Sequence, residues 1–270
     1  MVRPIQVMGV VNLTPDSFSD AGRSFEPMAA LAHARRLIAE GADILDLGAE
    51  STRPGAAPVA EQQELDRLIP LIEALRAESA VPISVDTMKP AVAHAAVDAG
   101  AVIWNDVTAL RHAPDSLATA AALGCDMVLM HMQGEPATMQ AEPRYGDVVE
   151  EVAAFLADRA QAAMNAGVAR EKIWLDPGIG FGKHRTRHNL PLLAGLDRIV
   201  ALGFPVLLGA SRKSFIGTLD PASTGPEDRL GGSIAAALAG AAAGVAAVRV
   251  HDVRETVQAL KVWQAIAAAR

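Results

Sequence analysis

Short apolar runs alternate with longer stretches in which apolar positions recur at helical spacing, and the alternation continues along the whole chain. The runs lie at 5–11, 44–47, 83–85, 102–104, 127–130, 173–175, 206–208 and 247–250. They lack the polar alternation of half-exposed strands, which is expected of parallel strands covered by helices. Alanine-rich helical stretches separate them at 28–39, 61–77, 90–99, 116–123, 148–166, 190–202, 229–243 and 253–268. Several close on a glycine just before the next run, at Gly41, Gly100, Gly124 and Gly167, as helix C-caps leading into αβ turns do. Eight such units predict an α/β fold, a (β/α)8 TIM barrel forming a single domain over residues 1–270, with an open doubly wound sheet as the alternative.

A barrel collects its chemistry at the C-terminal ends of its strands. The first polar groups after the apolar runs are Asn12, Asp46 with residues 50–53, Asp86, Asn105 with Asp106, His131, Asp176, residues 211–214, and Arg249 with His251. Each alone reads as a cap or turn residue. Turn chemistry does not call for carboxylates, amides, a lysine and an arginine together, so jointly they mark a site. The sharpest of these ends is LDPGIGFGK at 175–183, where Asp176 tips a strand, Pro177 cannot donate to a ladder, and three glycines allow tight turning or close approach to a ligand.

Composition narrows the partners. With 51% hydrophobic and 20% charged residues in 270, the chain can bury one large core. Its 24 basic against 31 acidic residues, net −7, argue against a nucleic acid or an anionic membrane as partner and leave room for small-molecule substrates. The single cysteine, Cys125, permits no intrachain disulfide or cysteine metal site. The first residues lead into a strand without the apolar core of a secretion signal, and the longest weakly apolar run, 234–248, falls short of the ~20 strongly apolar residues of a membrane span. A cytoplasmic protein is expected.

Eight segments, in order, carry a resemblance: MGVVNLTPDSFSD (8–20), ESTRPGA (50–56), SVDT (84–87), NDV (105–107), LMHMQG (129–134), DPGIGFGK (176–183), SRKS (211–214) and RVHD (249–252). Together they extend over nearly the full length, and the chain resembles the dihydropteroate synthase family, folate-pathway transferases that join a pterin pyrophosphate to p-aminobenzoate. The resemblance implies that Asp176, Asn105, Asp86 and Lys213 bind the pterin. A carboxylate such as Asp176 can accept from a ring amide and an amino group in parallel, as it does from a guanidinium fork. It implies catalytic roles for Asp86, Lys213, Arg249 and His251, with Asp86 stabilising positive charge as pyrophosphate leaves. Thr52, Arg53, Arg249 and His251 would hold the pyrophosphate. Phe18, Pro54 and Phe181 would wall the p-aminobenzoate ring, and Ser214 would meet its carboxylate.

The same resemblance implies a magnesium ion, with Asn12 and Asp20 as ligands, and a homodimer. The implied reaction is a substitution at the pterin methylene carbon that needs no protein nucleophile, so Ser211 and Ser214 are not read as nucleophiles. The chain departs from the family pattern at Ala21 and Ala49, where glycine is common, at Phe215, and in KHRTRHN (183–189), one residue longer than usual and read as a solvated loop. Two other readings stand beside this one. A corrinoid-linked pterin methyltransferase is opposed by the SRKS and TPDSFSD segments, and a non-catalytic pterin-binding paralogue by the presence of every expected functional residue.

Overall fold

The structure is a computed structural model and describes residues 5–13, 26–51, 56–134 and 138–269. Strands β1 (Gln6–Asn12), β2 (Ile44–Gly48), β3 (Ile83–Asp86), β4 (Ile103–Asp106), β5 (Asp126–Met130), β6 (Ile173–Asp176), β7 (Leu207–Leu208) and β8 (Ala247–Val250) pair in parallel in the order β6-β5-β4-β3-β2-β1-β8-β7. A single bridge between Leu175 and Val206, with the Leu175 amide donating to Pro205 O at 2.9 Å, joins the two ends. The sheet is thereby a barrel rather than an open doubly wound sheet.

Helices α1 (Glu26–Glu40), α2 (Glu61–Glu78), α3 (Pro90–Asp98), α4 (Ser116–Leu123), α5 (Val148–Ala166), α6 (Asn189–Ala194), α7 (Leu196–Val200), α8 (Ser214–Leu219), α9 (Leu230–Ala243) and α10 (Val253–Ala268) lie between and after the strands. All four glycines expected to end helices take positive φ, from 60° at Gly124 to 116° at Gly100. Two helical features differ from expectation. The helix expected over 190–202 is two, broken at Gly195, where an added Cβ would lie 2.9 Å from Val149. The short α8 directly after the SRKS lysine is additional.

Strand side chains alternate between two cores. Outward residues such as Leu45, Leu47, Val85, Trp104, Leu129 and Leu175 pack against Leu37, Leu68, Ile72, Leu75, Val92 and Leu156 of the helices. Inward residues Met8, Ile44, Ile103, Val128, Leu207 and Ala247, with Trp174 against them, form an apolar plug in the barrel. Burying either set stabilises the fold at about 25 cal/mol per Å² of apolar surface, which is why both faces of every strand read as apolar. Ala49 is buried and lies outside the positive-φ residues, so glycine is not required there. Ala21 lies outside the described residues.

Candidate active site

The period of two that builds the plug also builds the site. Two positions beyond plug residues, on the same inward face, come Asp46 after Ile44, Asn105 after Ile103, Asp176 after Trp174 and Arg249 after Ala247. Arg249 joins three strands: Nε donates to Asp46 Oδ2 at 2.6 Å and Nη2 to Asp86 Oδ2 at 2.8 Å. Asn105 Nδ2 donates to Asp46 Oδ2 at 3.2 Å. Burial works against the Arg249 charge, but Asp46 and Asp86 outweigh it and hold the guanidinium ionised. Burial pushes the Asp86 carboxyl upward; Arg249 opposes the shift and Asp46 adds to it.

Asp176 ends β6 and is 5% exposed. Its Oδ1 accepts the Gly178 amide at 2.7 Å. Burial raises its pKa, opposed by the Gly178 amide and by Lys213, Arg249 and Lys183. Gly209 lies beside it: a Cβ there would stand 3.7 Å from Asp176 Oδ2 and 4.0 Å from Cβ and Cδ of Arg249, so its absence leaves room between the carboxylate and the Arg249 stem. Lys213 Nζ sits 4.1 Å over the Phe181 ring, a cation–π contact. Burial, then Arg249, lowers the Lys213 ammonium to about 8. Phe181 in turn packs on an apolar wall of Val107, Met130, Met132 and Met139. The mouth thus combines a buried acceptor, an amide, two cations and an apolar wall, the donor and acceptor set a flat polar heterocycle requires.

The remaining expected residues divide. His251 follows β8, and its Nδ1 pairs with Ser211 Oγ at 3.0 Å; burial, then Arg249 and Arg212, lowers it to about 3, so the ring is neutral at pH 7. Ser214 opens α8 and is exposed. Asn12 closes β1, half-buried and in register with Gly48. Phe18, Asp20, Thr52, Arg53 and Pro54 lie outside the described residues. Asp106, at the same strand end as Asn105, builds its own loop instead, accepting from Thr108 N at 2.7 Å, Thr108 Oγ1 at 2.8 Å and Leu110 N at 2.7 Å.

Several residues of the mouth were given no role by sequence reasoning, even where, as with Asp46 and Glu50, it placed them at strand ends. Asp46 is fully buried and holds both Arg249 and Asn105; its only signal is a carboxylate inside the apolar run ILDLG. Lys89 pairs with Glu50 and, at 2.7 Å, with Glu64, while Glu50 Oε1 accepts the Val59 amide at 3.2 Å, bracketing the segment from 51 to 58. The expectation of a solvated 183–189 loop is corrected at both ends. Lys183 and Asn189 are each 1% exposed, because glycine backbone at 178–182 lets carbonyls converge on the lysine; Arg185 and Arg187 are exposed as expected.

A parallel barrel whose strand ends converge on this charge-lined mouth defines a (β/α)8 enzyme acting on a small polar ring system. Residues 8–251 match the family of pterin binding enzymes. The chain is 47% identical over 264 residues to dihydropteroate synthase of Escherichia coli K12, covering 98% of this chain and 92% of that one. It superposes with a TM-score of 0.93 on Xanthomonas albilineans dihydropteroate synthase with 4-aminobenzoic acid, at 51% identity over 99% of this chain and 94% of that one. The Xanthomonas albilineans enzyme in complex with 7,8-dihydropteroate gives 0.90, at 48% identity over 99% and 95%. The chain belongs to the pterin binding enzymes and, among them, to the dihydropteroate synthase family of transferases.

Proposed function

We infer that this mouth condenses 6-hydroxymethyl-7,8-dihydropterin pyrophosphate with p-aminobenzoate, giving 7,8-dihydropteroate and pyrophosphate. The observation that carries the reading is the buried Asp176 carboxylate, facing space left by Gly209 with Arg249 on its far side. Asp176 would accept from the ring amide and amino group, Asn105 would pair with the opposite edge, and Lys213 would cover the ring from the Phe181 side. In the reaction the methylene carbon–oxygen bond breaks and its electron pair leaves with pyrophosphate, drawn by Arg249, the neutral His251 and, by family resemblance, Thr52 and Arg53. The ring shares the positive charge that develops, and the Asp86 carboxylate, fixed by Arg249, stabilises it. The aryl amine nitrogen then forms the new carbon–nitrogen bond and releases a proton. Phe181, with Phe18 and Pro54, would face the aminobenzoate ring, and the exposed Ser214 hydroxyl its carboxylate.

Magnesium suits this site as the resident ion. Among the described residues no three His, Cys, Asp or Glu side chains are grouped to hold a metal; Asn12, the last residue of β1, would offer one amide oxygen. Magnesium keeps several waters and takes few protein ligands, so Asn12 with Asp20 would fit it. When bound it supplies positive charge to the pyrophosphate oxygens.

A homodimer is the proposed assembly. The outer face of α9 presents Ala235, Ala239 and Ala242, and the adjacent α10 leaves Val262 and Ile266 more than half exposed, an apolar face suited to a second copy. No helix among the described residues is long and apolar enough to cross a membrane; the cytoplasm is the proposed compartment.

A coupled assay of pyrophosphate release, with and without p-aminobenzoate, tests the reaction. Release that requires both substrates is expected. In Asp176→Asn, which replaces an acceptor by a donor, calorimetry should show pterin binding weaker by about 1.5–3 kcal/mol, roughly ten- to more than hundredfold, in a folded protein.

A further inference from the structure

Lys183 is the one lysine of the described residues that is almost wholly buried, 1% exposed, and its hydrogen bonds run to backbone carbonyls and to His131 rather than to the side chains assigned to substrate. Its Nζ lies 2.8 Å from His131 Nδ1, 3.0 Å from Gly178 O and 3.0 Å from Phe181 O, with His131 O further off at 3.4 Å. Three near acceptors match the three N–H bonds of an ammonium. The same geometry serves a neutral amine, which donates to the two carbonyls and accepts from an Nδ1–H of His131, so the tie persists in both charge states. Burying this group unpaired would be strongly unfavourable, so its place is set by these partners.

The partners are not spread evenly over the fold. Gly178 and Phe181 belong to the loop after β6, and His131 directly follows β5. Gly178 also donates its amide to Asp176 Oδ1, and the Phe181 ring carries the Lys213 ammonium. The loop is pressed against the β5 end so closely that a Cβ at Gly178 would lie 1.9 Å from His131 O and one at Gly182 2.2 Å from Gln133 O. The Tyr145 hydroxyl donates to Gly182 O at 2.8 Å and closes the far side. Lys183 thus reaches back under its own loop and holds the two backbone units that carry the acceptor and the aromatic wall.

We propose that Lys183 is a positioning residue for the transferase reaction: through Gly178 and Phe181 it fixes the Asp176 carboxylate and the Phe181 ring relative to each other, so that pterin and p-aminobenzoate meet a preformed site. The proposal rests on the site roles inferred above for Asp176 and Phe181.

Steady-state kinetics on Lys183→Met and Lys183→Gln, with Asp176→Asn as reference, tests it at temperatures below each variant's Tm. Lys183→Met should keep its circular dichroism spectrum and a kcat within about threefold of the parent, while both Michaelis constants rise roughly tenfold or more, the signature of lost binding geometry. Lys183→Gln keeps two N–H donors and should show a KM rise less than half as large. A fall in Tm with both KM values unchanged would assign Lys183 to stability alone and overturn the proposal. Should Lys183→Met fail to fold, His131→Leu removes one acceptor and keeps the lysine; there both KM values should rise about threefold, and unchanged values would overturn the proposal equally. Unaltered pterin binding in Asp176→Asn would overturn the site reading and this proposal with it, whereas a loss there and none in Lys183→Met overturns this proposal alone.

Discussion

Arg249 and Asp46 stand 203 residues apart in the chain and 2.6 Å apart in space, Nε donating to Oδ2 inside the barrel. The contact is a salt bridge between β8 and β2, across the intervening β1, with the Asp46 side chain fully buried. Removing one partner of a buried pair leaves the other charge without compensation, which is costlier than the pair was worth. Asp46→Ala should therefore destabilise the protein by about 3 kcal/mol, since Arg249 keeps only Asp86 and Asn105 loses its acceptor. Urea denaturation measures this; a change near that of a surface substitution, below about 0.5 kcal/mol, would refute the assignment.

Lys213 gives opposite pH signatures in activity and stability. Its ammonium, lowered to about 8 chiefly by burial, is present below that pH, so kcat/KM should fall as pH rises through about 8, and Lys213→Met should remove that limb. Stability runs the other way. The unfolded lysine keeps its proton to about pH 10.4, so between roughly 8 and 10 the unfolded state binds more protons and stability rises with pH. Paired rate and denaturation profiles over this range check both signs.

Two glycines with similar φ separate backbone strain from steric contact. Gly124, at φ 60°, has nothing within 4 Å of an added Cβ, whereas Gly178, at φ 67°, would bring one to 1.9 Å from His131 O. Gly124→Ala should cost only the left-handed penalty, about 1–2 kcal/mol. Gly178→Ala should cost clearly more and weaken pterin binding, because its amide holds Asp176. Thermal unfolding of both variants, with calorimetry on the second, gives the comparison.

Much of this was readable in the residues. The apolar runs located every strand because parallel strands are buried on both faces, and the segments around Asp86, Asn105, Asp176, Lys213 and Arg249 marked the mouth. What stayed hidden depends on distant chain. Asp46 has its meaning from Arg249, which no local pattern reports. Lys183 stands in a run of histidines and arginines that reads as polar surface, yet the glycines before it turn carbonyls inward and bury it. The break at Gly195 within an otherwise helical stretch is set by Val149 on a different helix.

The exposed part of that basic run should be silent. Arg185 and Arg187 face solvent, so Arg185→Ala and Arg187→Ala should each leave stability within about 0.5 kcal/mol. The KM for p-aminobenzoate should also stay within about twofold, measured beside Lys183→Met in one series.

The barrel closes through one bridge, Leu175 to Val206, where β7 is only two residues long. This ring therefore has a clasp, and Asp176 and Lys213 follow its two halves. A pterin held by both, as proposed above, would act as an extra rung across the clasp, so occupancy of the mouth should tighten this seam of the scaffold. Hydrogen exchange at the Leu175 amide, whose bond to Pro205 O crosses that seam, should slow on ligand binding more than exchange at the β2–β3 ladder opposite.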